Sequence, residues 1–487
     1  MKQVDCLIIG AGFGGIGMGY KLKEAGIENF VILDKAKELG GTWMHNTYPG
    51  AECDVPSHLY CYSFGKAPTW SRKWSGQKEI LEYTRDCAEK FGVIPHMRLG
   101  CAVTSASFDA ASGLWTVTTQ GNGDETYRCR HVVCSVGLLH FPNRLNTPGQ
   151  DQFDGPIFHS AEWRHDVDLK GKYVAVIGNA ASALQFIPEV AKQAGKLTVY
   201  QRTANWVLPK GNKDYGKGFK ALMRSIPPLQ KLYRFRLWAE NEFKVYPVMK
   251  GSKLHETLIQ HMLDKHLKKT VADPKLREAL RPKNPPGAQR LLISDQYYPA
   301  LTRDNVELVT DGIDSFTKKG IKTVDGTEHA HDAVILGTGF QCNPFLQAID
   351  IKGRDGTMLR DVWDNGGARA YLGISIPNYP NLHVIYGPNT NSGHTSMLTK
   401  IELQIGFITQ LIKAAGHSTI EVTPDAAQRY DDEIQQRLAK SQWARIGRSY
   451  YMDGERITTN WPGPPREYFR RTKKPDMSDS KLGASGH

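Results

Sequence analysis

The chain has 487 residues, of which 40% are hydrophobic and 23% are charged, the proportions of an ordinary globular protein with a large core and two to four domains. No apolar run approaches the roughly 20 residues of a membrane span, and none of the eight cysteines forms a C-x-x-C pair, which argues against a zinc knuckle or a dithiol redox site. With no leader-like segment before the first strand, we predict a reduced, cytoplasmic protein.

The net charge of +12 is concentrated in one segment, because residues 210–290 hold 19 Lys/Arg against 7 Asp/Glu. Such a segment can attract an anionic cofactor, a nucleic acid or an anionic membrane surface. A solvated helical face is the plainer interpretation. We predict no nucleic-acid partner and no stable membrane insertion, although this segment could touch an anionic surface.

The first element is a strand, a glycine-rich turn, a helix and a second strand over residues 4–35. Gly10, Gly12 and Gly15 form G-x-G-x-x-G, and Asp34 ends the next strand 19 residues later. Gly10 permits a tight turn, Gly12 lets the backbone approach a pyrophosphate, and Gly15 allows close packing of helix on strand. The helix N-terminus would hold the phosphates and Asp34 a ribose hydroxyl. This pattern predicts a dinucleotide site.

An amphipathic helix over 78–93 and strands over 114–119 and 131–137 follow, before a second unit of the same kind over 172–203. Its turn begins at Gly178, and alanine replaces two of the three glycines. Arg202 stands after the second strand, where an acid would bind a ribose 2′-hydroxyl. A cation suits the 2′-phosphate of NADPH, or it is simply an exposed arginine. Two nucleotide folds imply FAD plus a nicotinamide cofactor, and without a dithiol the obvious final acceptor is oxygen.

We therefore predict an α/β protein with two Rossmann-like domains, for FAD and NADP, and a helical insertion. The predicted segments are 1–149 (FAD domain, first part), 150–212 (NADP domain, first part), 213–287 (basic helical insertion), 288–340 (NADP domain, second part), 341–470 (FAD domain, second part) and 471–487 (polar, disordered tail). Histidines at 255, 261 and 266 lack i,i+4 spacing, and neither they nor the H-x-H at 329–331 are joined by a carboxylate or cysteine that would complete a ligand set, so we predict no metal site.

Two longer motifs resemble those of type I Baeyer–Villiger monooxygenases. Residues 40–54, GGTWMHNTYPGAECD, match the pattern [A/G]-G-x-W-x-x-x-x-[F/Y]-P-[G/M]-x-x-x-D. Residues 153–164, FDGPIFHSAEWR, match F-x-G-x-x-x-H-x-x-x-W-[P/D] except at Arg164. The related flavin-containing monooxygenases usually have Tyr or Phe at the position of Trp163. Trp163 therefore favours the Baeyer–Villiger group, and the resemblance covers nearly the whole chain, roughly residues 1–465.

Other segments agree with this resemblance. Residues 201–209 look like the family's NADP-binding strand end, and residues 382–396 look like the segment that closes the FAD domain. The segment 287–301 looks like the one that carries the catalytic arginine, which places that role on Arg290. Gln289 stands where the family often has Lys, which removes one expected contact to the 2′-phosphate. Ser449-Tyr450-Tyr451 stands where the family often has S-W-Y.

The resemblance implies a reaction in which NADPH reduces FAD, O2 forms a C4a-peroxyflavin, and a ketone becomes an ester or lactone. Arg290 would counter the peroxide charge and polarise the ketone, and Asp54 would orient Arg290. His159 and Trp163 would belong to the linker between the two domains, His159 as a hinge. Cofactor binding is assigned to Gly10, Gly12, Phe13, Gly15, Asp34, Lys35, Gly41, Thr42, Trp43, Asp54, Tyr60, Gly178, Asn179, Ala181, Ser182, Arg202, Thr203, Gln289 and Asn389.

Two alternatives stay open at this point. A flavin-containing monooxygenase that oxidises nitrogen or sulfur would share the cofactors but would need no arginine to polarise a ketone. A flavin protein without oxygen chemistry would instead use the basic segment 210–290 to bind a partner or a membrane. The sequence does not define the ketone or the oligomeric state.

Overall fold

The computed structural model describes residues 1–65, 69–122, 124–446 and 451–483. The strands are β1 (Lys2–Ile9), β2 (Phe30–Asp34), β3 (Met97–Leu99), β4 (Cys101–Asp109), β5 (Leu114–Gly121), β6 (Thr126–Cys134), β7 (Ile157–His159), β8 (Tyr173–Ile177), β9 (Lys196–Tyr200), β10 (Val207–Leu208), β11 (Leu292–Ile293), β12 (Val306–Val309), β13 (Ile313–Thr317), β14 (Gly320–Thr323), β15 (Glu328–Ala330), β16 (Ala333–Leu336), β17 (Asp350–Lys352), β18 (Leu382–Val384), β19 (Ile420–Val422), β20 (Met452–Asp453), β21 (Arg456–Ile457) and β22 (Ser480–Leu482).

The helices are α1 (Phe13–Glu24), α2 (Thr42–His45), α3 (Gln77–Lys90), α4 (Ala181–Ala191), α5 (Lys217–Ser225), α6 (Pro227–Glu240), α7 (Tyr246–Met249), α8 (Lys253–Thr270), α9 (Pro274–Ala279), α10 (Tyr297–Leu301), α11 (Leu359–Asp364), α12 (Met397–Ala415), α13 (Pro424–Leu438) and α14 (Pro465–Thr472). A π-helical turn, Asn241–Val245, joins α6 to α7. None of the helices in the described parts of the chain combines the length and apolar content that crossing a membrane requires.

Two sheets with parallel cores organise the molecule. The first runs β17-β4-β5-β6-β1-β2-β3, with β18 beside β6, so it takes strands from both ends of the chain. The second runs β12-β9-β8-β16-β7 and is parallel throughout. Each contains a strand–helix–strand unit, β1-α1-β2 and β8-α4-β9, whose central strands are buried. The predicted α/β class with two dinucleotide-binding folds is confirmed, whereas the exact domain boundaries stay predictions.

The two units turn at equivalent glycines for the same steric reason. Gly10 has φ +111° and Gly178 has φ +103°, which side chains other than glycine rarely tolerate. A Cβ on Gly10 would lie 2.3 Å from the carbonyl oxygen of Ser135, and one on Gly178 would lie 2.4 Å from that of Gly337. In both units the turn therefore presses against the loop after a neighbouring parallel strand, and the following helix starts at the carboxyl edge of the sheet.

The predicted insertion is helical from α5 to α9. On α8, Leu263 and Leu267 pack inward and are buried, whereas Leu258 faces water. From α6, Arg234 donates to the backbone oxygens of His58, at 3.2 Å, and Cys61, at 2.7 Å. The insertion is thus tied to the loop that follows the 40–54 motif.

The prediction of disorder over 471–487 is wrong for its described part. Helix α14 continues to the buried Thr472, and β22 pairs antiparallel with β19. Asp479 also accepts a hydrogen bond from the Tyr371 hydroxyl at 2.6 Å. A polar composition suggested disorder, but backbone pairing with an available edge needs no apolar side chains. Residues 484–487 lie outside the described residues.

Candidate functional site

A cavity of about 520 Å³ lies where the carboxyl edges of the two sheets meet. The turns after β1 and β2, the loop around α2, the start of α4 and the segment before β11 all contribute to its wall. The predicted site residues that line it are Gly10, Gly12, Phe13, Asp34, Lys35, Gly41, Thr42, Trp43, Asp54, Tyr60, Ala181, Ser182 and Arg290. The fold therefore brings most of the predicted residues together in one place.

The first glycine turn leaves room for a ligand rather than for protein. A Cβ on Gly12 would meet nothing closer than the Cα of Gly41, at 3.5 Å, whereas one on Gly15 would lie 1.8 Å from the Gly10 oxygen. Gly15 is thus required by packing, and Gly12 is required only if another molecule approaches. Helix α1 starts there with no side-chain cap and no acid in its first turn, so its N-terminus suits a phosphate.

Asp34 fixes the shape of this turn. Its carboxylate accepts the backbone N–H of Ala11 at 2.7 Å and that of Ala36 at 2.8 Å. It also lies on the cavity wall beside Lys35, whose ammonium group is 5.8 Å from the centre of the Phe141 ring. The acid that was predicted to bind a ribose therefore holds the glycine turn as well.

Buried polar atoms that lack protein partners lie in the segment before α12, and one of the residues that carry them, Thr395, is on the cavity wall. His394 Nε2, Thr395 Oγ1 and Ser396 Oγ are buried, and none has a hydrogen-bond partner among the described residues. They directly precede α12, whose N-terminus also lacks a side-chain cap. Buried polar groups are nearly always hydrogen-bonded in native proteins. Thr395 Oγ1 is therefore available to a ligand in the cavity, whose first glycine turn suits the phosphates of FAD.

Aromatic rings close one side of the cavity. The rings of Phe13 and Tyr60 meet edge to face at 5.6 Å, and Trp43 Nε1 donates to the Tyr60 hydroxyl at 3.1 Å. Burial raises the pKa of Tyr60, so its hydroxyl keeps its proton. This aromatic part of the cavity wall therefore carries no charge.

Arg290 and Asp54 form a two-pronged ion pair on the cavity wall. Arg290 Nε donates to Asp54 Oδ2 at 2.9 Å, and an Nη donates to Oδ1 at 2.8 Å. Both side chains are partly exposed toward the cavity. Bidentate pairing fixes the plane of the guanidinium, which a single contact does not do. The two residues predicted to act together are brought together by the fold.

Two residues of the segment 150–212, predicted as the first part of the NADP domain, hold the loop that carries Asp54, and neither was expected from the sequence. Gln185, on α4, accepts from the Tyr48 hydroxyl at 2.9 Å and donates to the Glu52 carbonyl at 2.9 Å. Lys210, two residues after β10, is buried and pairs with Glu52 at 2.5 Å. One sequence signal could have suggested that Gln185 points inward, namely that it lies about one helical turn after the second glycine-rich loop.

The second glycine turn has an open helix end as well. Helix α4 has no side-chain cap and no acid in its first turn. Arg202 lies two residues beyond β9, is exposed, and has no ion-pair partner among the described residues. Gln289 is half-buried. This arrangement fits a second phosphate-bearing cofactor, with Arg202 as its charged contact.

Several predicted cofactor residues have their side chains engaged by protein instead. Asn179 Nδ2 donates to Gln201 Oε1 at 2.8 Å and to the Thr203 carbonyl at 2.9 Å, so it ties the second turn to the end of β9. Asn389 Nδ2 donates to the carbonyl of Ile457 at 2.8 Å. Neither these two residues nor Gly15, Gly178, Arg202, Thr203 and Gln289 line the cavity. For Asn179 and Asn389 the geometry indicates a supporting role.

The linker histidine joins the two crossings between the sheets. His159 is fully buried; its Nε2 lies 3.0 Å from the Gly339 oxygen, and its Nδ1 accepts from the Ala161 N–H at 3.1 Å. These partners assign the proton to Nε2, and burial lowers the pKa of His159. Trp163 packs edge to face on Phe158 at 5.4 Å. The predicted hinge role of His159 stays a prediction.

Two further predictions concern residues outside the cavity. Arg164, the departure from the second motif, is exposed and pairs with Asp166 within the same loop. Ser449 and Tyr450, two of the three residues at the S-W-Y position, lie outside the described residues; Tyr451 is buried near Trp443. Within the described residues no cluster of three or more metal-ligating side chains occurs.

Comparisons with known proteins give one consistent picture. Residues 7–224 match the family model described as pyridine nucleotide-disulphide oxidoreductase. A Baeyer–Villiger monooxygenase of Streptomyces coelicolor is 36% identical, covering 99% of this chain and 93% of the relative. A closed crystal structure of cyclohexanone monooxygenase superposes with a TM-score of 0.87 at 30% identity, covering 99% of this chain and 100% of the other. A structure of OTEMO with FAD and NADP superposes with a TM-score of 0.89 at 27% identity, covering 99% of each chain.

Proposed function

Because the chain belongs to the family of Baeyer–Villiger monooxygenases, we propose that the Arg290–Asp54 pair is the centre at which it inserts oxygen beside a ketone carbonyl. The enzyme is an NADPH-dependent FAD monooxygenase. One ketone, one O2, one NADPH and one proton give one ester or lactone, one water and NADP⁺. Bound FAD, reduced by NADPH, supplies the activation of O2.

The bidentate pair on the cavity wall is the observation that carries the proposal. A guanidinium keeps its charge at any physiological pH, so Arg290 can donate an N–H to the ketone oxygen while negative charge develops there. Asp54 holds the plane of the guanidinium and keeps it aimed into the cavity. A preorganised donor of this kind typically contributes on the order of 10²–10³ in rate.

The remaining predicted residues, in the cavity and beside it, divide between the two cofactors. The turn at Gly10–Gly15 and the N-terminus of α1 would hold the FAD pyrophosphate, and the polar atoms before α12 would bind the flavin edge. The N-terminus of α4 and Arg202 would hold NADPH, with Arg202 on its 2′-phosphate. Gln185 and Lys210 would hold the Asp54 loop in a fixed position relative to the NADPH half of the site.

A cyclic ketone is the substrate class that we propose to test first. One structural relative is named a cyclohexanone monooxygenase, and the cavity is lined by more apolar than polar side chains, which suits a hydrocarbon ring.

All eight cysteines are buried and unpaired, which fits the predicted reducing, cytoplasmic location.

Arg290→Ala tests the proposal in the FAD-loaded protein. Cyclohexanone and a thioether are offered together with NADPH, both half-reactions are followed by stopped flow, and the products are separated by chromatography. We expect FAD binding to survive and flavin reduction to be slowed at most moderately, while lactone formation falls by 10²-fold or more, on the order of the loss of one oxyanion donor.

The thioether is the internal control, because sulfur oxidation requires no polarised carbonyl and should persist in the variant. Lactone formation by Arg290→Ala at close to the wild-type rate would remove Arg290 from the catalytic role. Sulfoxide as the single product of the wild type would instead show that cyclohexanone is the wrong ketone or that the enzyme prefers sulfur.

A further inference from the structure

An apolar stripe faces water along α6 and the π-helical turn that follows it. Leu232, Phe235 and Phe243 are 62%, 60% and 62% exposed. Their spacing places them on one side of the helix, while Leu237 on the other side is buried. Single exposed apolar residues are ordinary, but three large ones in a row on one helix mark a contact surface.

Basic side chains border the stripe. Lys231, Arg236 and Lys244 are exposed along the same stretch. Glu240 pairs with Arg236 at 3.2 Å and offsets its charge, whereas Glu242 is buried beside Arg466 at 3.5 Å, so Lys231 and Lys244 supply the remaining positive charge of this face. The face is therefore apolar at its centre and cationic at its edges.

The next long helix of the insertion repeats the pattern. On α8, Leu254, Leu258 and Met262 follow one another at intervals of four residues, and all three are exposed. Lys253 is exposed at the start of this row. The basic segment that the sequence singled out therefore combines charge with exposed apolar side chains, which a merely solvated helical face does not need.

We propose that this face of the insertion, centred on Leu232, Phe235 and Phe243, is a contact surface for an anionic lipid membrane. Aromatic and aliphatic side chains enter the boundary between headgroups and acyl chains, and flanking lysines and arginines bind anionic headgroups. A second copy of the chain fits less well, because a two-fold contact would bring two cationic faces together. A nucleic acid would engage the cations but would leave Leu232 in water.

Flotation with vesicles tests the proposal in the FAD-loaded full chain. The vesicles are phosphatidylcholine alone or phosphatidylcholine with 30% phosphatidylglycerol, at low and at 0.5 M NaCl. We expect binding to the anionic vesicles that salt reduces strongly, and little binding to neutral ones. Lys231→Gln/Arg236→Gln/Lys244→Gln should weaken the partition by about 100-fold, since each surface cation contributes roughly fivefold. Leu232→Ser/Phe235→Ser/Phe243→Ser should weaken it by about tenfold or more.

A matched control changes the same charge elsewhere. Lys318, Lys319 and Lys322 are exposed on and beside β13 and β14, and their replacement by Gln should leave vesicle binding unchanged. NADPH oxidation should be the same in all variants, which separates this test from the proposed function. Equal binding to neutral and anionic vesicles, equal loss in the control variant, or a wild-type dimer that the Ser variant converts to monomer without any vesicle binding would each overturn the proposal.

Discussion

Some residues of this site are required for the protein to fold, and others are required only for a ligand to bind. Gly12 and Gly15 belong to the same motif, yet their surroundings differ. A Cβ on Gly15 would overlap the Gly10 oxygen, whereas a Cβ on Gly12 would find its nearest protein atom at 3.5 Å. The backbone at Gly12 has φ −86°, which alanine adopts without strain. The glycine motif is therefore part folding constraint and part binding constraint.

Gly12→Ala should fold like the wild type and lose FAD, because the added methyl group would stand where the pyrophosphate has to approach. We expect an unchanged circular dichroism spectrum and a loss of bound flavin absorbance of tenfold or more at equal FAD concentration. Gly15→Ala is the matched control and should instead lose folded protein. A yellow Gly12→Ala protein with wild-type FAD affinity would show that no ligand phosphate passes this residue.

Arg202→Ala should raise the KM for NADPH far more than the KM for NADH. A charge-assisted contact to the 2′-phosphate contributes about 1.5–3 kcal/mol, and NADH has no such group. Because Gln289 lacks the charge of the lysine common in the family, we expect weaker discrimination in the wild type than a second cation would give. Steady-state kinetics with both coenzymes checks this. A similar rise for both would assign Arg202 a structural role.

At the scale of elements, the loop 48–54 depends on contacts from another unit of the chain. Asp54 belongs to the motif that follows β2, whereas Gln185 belongs to α4 and Lys210 follows β10. The carboxylate that we propose to orient Arg290 is thus positioned by the unit that we assign to NADPH. Because Glu52 lies two residues before Asp54, any displacement of that unit would also displace Asp54.

Lys210→Met should destabilise the protein and misplace Asp54. Removing one partner of a fully buried pair typically costs about 3–5 kcal/mol, and we expect less here because Glu52 is 25% exposed. We expect a lower Tm and a larger share of NADPH consumed without product, measured as hydrogen peroxide. Lys210→Arg should restore much of the coupling. The double variant Lys210→Met/Glu52→Gln should recover part of the Tm, and an additive loss would argue against the pair.

For the whole molecule, buried histidines link stability to pH. Burial lowers the pKa of His58, His140 and His331 to about 4 and that of His383 and His394 to about 3. In the unfolded chain these groups bind protons below about pH 6.5. Between that pH and the lowered values the unfolded state therefore binds more protons, so the free energy of unfolding should decrease as the pH falls.

We expect the urea midpoint to be stable near pH 7.5 and to decline steadily between pH 6.5 and 4.5. His331→Gln should make the decline less steep, because one proton fewer is taken up on unfolding, while the Tyr200 hydroxyl keeps a partner at position 331. Exposed His261→Gln is the control and should not change the slope. A midpoint that is constant or rises on acidification would contradict this linkage.

The sequence by itself determined the features that are local in the chain. The glycine turns, the acid that ends β2, the helical insertion and the two nucleotide folds follow from steric rules and apolar periodicity within some thirty residues. The two longer motifs and the segment around Arg290 pointed to one family and to the residues that the fold then brings together. Each of these patterns depends on residues that are close together in the chain.

Only the tertiary structure decided the contacts that join distant segments. The fold showed that Gln185 and Lys210 contact the Asp54 loop and that hydrogen bonds to protein occupy the side chains of Asn179 and Asn389. It also showed that β22 pairs with β19 and which face of α6 is exposed to water. A sequence shows which hydrogen-bond donors and acceptors a segment contains, but not which partners lie within hydrogen-bond distance of them. That depends on how the two sheets are set against each other, since packing of their edges fixes the distances.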